Sequence, residues 1–216
     1  MPDSSMTDLF HGFDQATVAA IEAANAREKL AVGEARAMRA SHRLHVRRAK
    51  AEATLADILP ARFSAGDSWH VVSHGDIDAL SYLAHAIRDT HFDYVGISTW
   101  CIARPDLEQI AACLDAGRID TFELYAGEIF PSQYTDEHEM ALQMIETYGI
   151  RLCIARNHSK LILASNEADA YHLVMEGSAN VNTNPRIEQT AIHCSAELFH
   201  FYRDFYRGLR SIDRRA

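Results

Sequence analysis

His158 and Lys160 stand two residues apart at the start of an apolar run, HSKLILAS. A short polar break, NEAD, and a second apolar stretch lead to Gly177, Ser178 and Asn180, and then to Asn182, Asn184, Arg186 and Glu188. An imidazole, an ammonium, a hydroxyl and an amide make a donor-rich set suited to an oxyanion, with a histidine beside it for attack or proton transfer. On a strand, positions two apart share a face, so His158 would sit beside Lys160 and Ser178 beside Asn180. Paired as a hairpin, the two strands would bring all four groups together, and Gly177 would let a bulky oxyanion approach the backbone. Each residue also has an ordinary reading. His158 and Lys160 could be solvated edge residues, Ser178 and Asn180 turn formers, and Glu188 a strand-face acid. Asn182, Asn184 and Arg186 could cap a loop or contact substrate.

The elements that must position these groups are legible from Trp69 onward. WHVVSHG, FDYVGISTW, DTFELYAGEIF, AYHLVMEGS and IEQTAIHCS read as strands. IRLCIARNHSKLILAS reads as two strands split around Arg156 and Asn157. Between them lie three amphipathic helices. The first has Asp76 or Asp78 near its N-cap, the second has Pro105 in its first turn and Gly117 after its end, and the third is closed by Gly149. AELFHFYRDFYRGLRSI forms a closing aromatic helix. The expected fold is α/β, a mixed sheet flanked by helices over residues 69–216. Residues 1–60 are rich in Ala, Glu, Arg and Lys and read as a helical segment, with Leu59 to Ser68 as the linker.

Composition narrows the function classes. No apolar run is long enough to span a membrane, and the first residues lack a basic and then apolar leader pattern, so no membrane anchor is expected. The four cysteines show no metal-ligand spacing and read as reduced core thiols of a cytoplasmic protein. The net charge of −9 argues against wholesale coating by nucleic acid. Yet eight basic residues stand against two acidic ones between Arg27 and Lys50, so a local basic arm, or a helix that pairs with its own copy, is expected there.

HSK followed by GSANVN and then Glu188 resembles the HxK…GSxN motif of the phospholipase D superfamily. The strand–helix alternation from Trp69 to Ile212 is similar to one half-domain of that fold, about two-thirds of the chain. Ser165 stands where the family pattern has an aspartate five residues after the lysine, which bears on positioning more than on chemistry. One motif is present where the family builds a site from two, as in the bacterial nucleases of this superfamily that complete the site by homodimerisation.

The resemblance implies metal-independent phosphodiester cleavage through a phosphohistidine, with no cofactor. His158, Lys160, Asn180 and Glu188 would be catalytic, and Ser178, Gly177, Asn182 and Arg186 would bind substrate. Brevity, the single motif and the basic segment favour a nucleic-acid substrate and a homodimer. Two other readings stay open: a phospholipase or phosphatidyltransferase acting on lipid head groups, and a non-catalytic module that binds nucleic acid or organises an assembly.

Overall fold

The computed structural model describes residues 50–75, 77–181 and 186–216. Asp76, Asn182, Asn184 and the basic segment before Lys50 lie outside the described residues.

A helical stretch, α1, covers residues 50–58. After it come β1 (Ser68–Ser73), α2 (Ala79–Ile87), β2 (Phe92–Thr99), α3 (Arg104–Asp115) and β3 (Ile119–Gly127). A short α4 (Phe130–Gln133) leads into α5 (Thr135–Tyr148), followed by β4 (Arg151–Ala155), β5 (Leu161–Asn166), β6 (Tyr171–Gly177), β7 (Glu188–Cys194) and α6 (Ala196–Arg207). The strands form one seven-stranded mixed sheet in the order β1-β7-β6-β5-β2-β3-β4. β2, β3 and β4 run parallel, joined by helical crossovers, and the remaining neighbours pair antiparallel.

Local chemistry sets the boundaries. Asp78 caps α2 by accepting from the amide and the hydroxyl of Ser81. α3 carries proline in its first turn, and α5 ends at Gly149, which adopts the left-handed φ of 68° that closes a helix cheaply only for glycine.

Alternation along the strands feeds two apolar layers. Val95, Ile97, Ile162, Ala164, Leu173 and Met175 face the layer that holds Leu80 and Leu83 of α2 and Leu107 and Ile110 of α3. Tyr94, Tyr125, Cys153, Leu161, Leu163 and Val174 face Phe199 and Tyr206 of α6. Leu55, Leu59 and Phe63 are buried in the first layer, so that core takes in residues on both sides of the Pro60-containing stretch.

On the α6 side the buried carboxylate of Glu123 is fully engaged. It accepts from Tyr94 Oη at 2.8 Å, Tyr125 Oη at 2.5 Å and Arg207 Nε at 3.0 Å. Burial and this carboxylate push both phenols well above the usual tyrosine range. The cluster fixes the last turn of α6 to the sheet, and with it Tyr206.

Candidate active site

The candidate residues gather at one end of the sheet, where β2, β3 and β4 finish, β5 and β7 begin, and β6 ends. The register dictates this: Ser98 of β2 faces Leu161 at the start of β5, Leu161 faces Glu176, and Gly177 faces Thr190. Such an end, outside the carboxyl edge of parallel strands, is where α/β sheets place ligands.

His158 and Lys160 were expected on a strand, but they precede it. Residues 157–160 are irregular and β5 starts at Leu161. The reason is Asn157. Its side chain is buried and takes the place of strand pairing, donating from Nδ2 to Ser98 Oγ at 2.9 Å, to the carbonyl of Tyr125 at 2.8 Å and to that of Thr99 at 3.4 Å. Its Oδ1 accepts from the amide of Ser159 at 3.0 Å and from the hydroxyl of Ser159 at 2.6 Å. Counting protons settles the rest of the network. Ser159 has spent its proton on Asn157, so Ser98 Oγ and Tyr206 Oη, each 2.6 Å away, donate to Ser159 Oγ. The loop is thus clamped from β2, β3 and α6 while His158 stays exposed.

The expected neighbourhood of His158 and Lys160 is present. Lys160 Nζ lies 2.9 Å from His158 Nδ1 and 2.6 Å from the His158 carbonyl oxygen. The same ammonium stands 3.5 Å from His158 Nε2, so it lies against the ring rather than in line with one nitrogen. Burial lowers the Lys160 pKa, an effect opposed by the nearby Cys101 and by the charge of Glu188.

The second half of the motif joins directly. The amide of Gly177 donates to the carbonyl of Lys160 at 3.2 Å, continuing the β5–β6 ladder one step beyond β5. A Cβ at Gly177 would run into the Gln189 carbonyl, so the position requires glycine for close strand approach. Ser178 donates to Glu188 Oε2 through a very short hydrogen bond, and Ser178 Oγ accepts from the Gln189 amide at 3.1 Å. Glu188 is the first residue of β7 and is buried. The amide of Val181 reaches Thr99 Oγ1 at 3.5 Å, which ties the segment after Asn180 to the end of β2. Asn180 Oδ1 is buried with no hydrogen-bond partner among the described residues. Arg186 is exposed, ahead of β7. A narrow crevice beside this end is lined by Lys160, Gly177, Ala179, Val181, Tyr82 and Thr190.

Sequence reasoning missed the Asn157–Ser159 clamp, whose signal was an amide placed at the break between two apolar strands. For Trp100, which follows the second strand, it favoured core packing over stacking of a base. Trp100 is half-buried, and its ring centroid stands 5.3 Å from that of His158 at a 53° tilt. Ser165, at the position of the family's aspartate, is buried within β5 opposite Tyr94 and His172.

Among the described residues, the side chains that could converge on a metal ion are His91, Asp93 and Asp120. They lie at the opposite end of the sheet, where the His91 ring already joins Asp120 at 2.9 Å and Asp93 at 3.5 Å.

No family model matches the chain, and no curated protein matches it. Solved structures resemble it at low identity. A polyphosphate kinase from Porphyromonas gingivalis is similar at a TM-score of 0.48 and 12% identity over 65% of this chain. An archaeal chromatin protein, TrmBL2, described with a novel mode of DNA binding, gives 0.49 and 9% over 90%. Phosphatidylserine synthase from Haemophilus influenzae gives 0.44 and 16% over 64%. The chain spans 25% of the kinase, 68% of the chromatin protein and 37% of the synthase. None of these overlaps reaches a TM-score of 0.5, so the functional reading rests on the site itself.

Proposed function

We propose that the chain is a metal-independent phosphodiesterase of the phospholipase D type, acting on nucleic acid as a homodimer. The observation that carries this reading is the meeting of Lys160 with His158 at 2.9 Å, joined through the Lys160 carbonyl to Gly177 and its following Ser178. Lys160, and Asn180 through its Nδ2 donor, hold the non-bridging oxygens. Glu188 accepts from His158 Nδ1, which fixes the tautomer that leaves Nε2 free for attack.

The His158 nitrogen bonds to phosphorus while the bond to the leaving oxygen breaks. That oxygen takes a proton from the imidazolium of the second copy's His158. The second imidazole then removes a proton from water, whose oxygen displaces the histidine and regenerates the free ring. One copy holds one motif, so the acid and the nucleophile come from two copies around a two-fold axis.

A second reading, phosphodiester cleavage in lipid head groups, draws on one feature. Val72 and Ile187, each 69% exposed, flank Ser73 and Glu188 and place apolar surface beside the site. In the dimeric nuclease the same residues serve as contact surface between copies. Incubation with single-stranded DNA, double-stranded DNA, RNA and a phospholipid in EDTA separates the readings. Cleavage of nucleic acid that His158→Ala abolishes supports the nuclease, whereas head-group release supports the lipid enzyme.

A further inference from the structure

We propose that Trp100 is a stacking platform for a nucleobase next to the phosphate bound at His158, so that the substrate strand is unpaired there. This rests on the phosphodiester reading of the site. Trp100 follows the last residue of β2, and Cys101 and Ile102 after it are both buried. The chain therefore turns inward past Trp100 and leaves the indole half-buried at the site end, against His158 rather than deep in either apolar layer.

The placement depends on a bare backbone position. A Cβ at Gly127 would lie 2.6 Å from Trp100 Cδ1, 2.7 Å from the Trp100 carbonyl oxygen and 3.0 Å from the carbonyl of Asn157. The amide of Gly127 also donates to Trp100 O at 3.1 Å. The same glycine thus admits the indole and the loop that carries His158. A planar π-surface whose centroid lies 5.3 Å from that of the attacking ring favours a flat group on the phosphodiester. A base held in a duplex already has both faces covered, so the group is an unpaired base. Lipid head groups offer no such face.

The chain has two tryptophans, so Trp69→Phe leaves Trp100 as the sole indole. In that variant, with EDTA, Trp100 emission is followed while a phosphorothioate-linked oligothymidylate, glycerophosphoglycerol and inorganic phosphate are added in turn. The oligonucleotide is expected to quench Trp100 and to bind more tightly than glycerophosphoglycerol. In a competition assay Trp100→Ala should weaken oligothymidylate binding roughly tenfold and leave phosphate affinity unchanged, while Trp100→Phe restores most of the loss. Equal binding of the base-free diester, or equal weakening of both ligands by Trp100→Ala, overturns the platform. Phosphate binding that needs Lys160 keeps the site reading intact in that event. If phosphate does not bind, or binds equally to Lys160→Met, the site reading and the platform fall together.

Discussion

Asn157 and Ser159 are locked to each other, with Asn157 Oδ1 accepting both the amide and the hydroxyl of Ser159, and His158 is held in the single position between them. The loop is therefore rigid where the His158 side chain is free. Catalytic histidines gain from such support because misplacement by about an ångström can cost on the order of a hundredfold in rate.

Asn157→Ala removes a buried amide and leaves the carbonyl of Tyr125 and Ser98 Oγ short of a donor. The expected loss is about 1–3 kcal/mol of stability, read by urea denaturation, with turnover lowered more than substrate affinity. Ser159→Ala breaks the link to Tyr206 and should lower turnover in the same way.

Lys160→Met should abolish cleavage without lowering stability. Burial depresses the Lys160 pKa, so folding disfavours its charged form. That penalty is present below the folded pKa and disappears as pH rises through the folded and then the unfolded value. The melting temperature of Lys160→Met should therefore match or exceed wild type near pH 7, and any gain should shrink towards pH 10. A variant that melts lower at neutral pH would mean that Lys160 serves the fold.

Ser178→Ala removes the donor to Glu188 Oε2 and the acceptor for the Gln189 amide. It should reduce turnover by roughly tenfold, comparable to the loss of one hydrogen bond to a charged group. Glu188→Gln should cost more, because the amide cannot support an imidazolium. Steady-state rates of the two variants, measured side by side, check that order.

The basic residues between Arg27 and Lys50 should contribute sequence-independent affinity. Replacing Arg36, Arg39, Arg43 and Arg47 with Gln should flatten the salt dependence of oligonucleotide binding, by roughly 0.7–0.9 in log–log slope for each phosphate that is no longer neutralised. An unchanged slope together with a lowered mass in solution would assign the segment to assembly.

Most of the sheet was legible because its strands alternate cleanly and its helices carry strong end signals, such as Gly149 after α5 and the split at Arg156 and Asn157. The candidate site was legible as a set of residues, since the spacing of His158, Lys160, Gly177, Ser178 and Glu188 survives in one dimension. Its scaffolding was not. Asn157 meets Ser98, Tyr125 and Thr99, and Ser159 meets Tyr206, across separations that no local pattern encodes. Propensity placed His158 and Lys160 on a strand, and a side chain that substitutes for strand pairing overrode it. Trp100 read as core more readily than as a base-stacking ring because an indole after a buried strand usually packs, and the bare Gly127 that admits it at the site lies 27 residues later in the chain.

Covalent trapping tests the phosphohistidine chemistry most directly. The protein is mixed in EDTA with an oligonucleotide carrying a labelled phosphate at each internal linkage, quenched rapidly in alkali, and digested for peptide mapping. Label is expected on the peptide containing His158, stable in alkali and released in acid, with no label on His158→Ala and no cleavage by that variant. Absence of a labelled peptide, together with His158→Ala activity within roughly tenfold of wild type, would contradict the role given to His158.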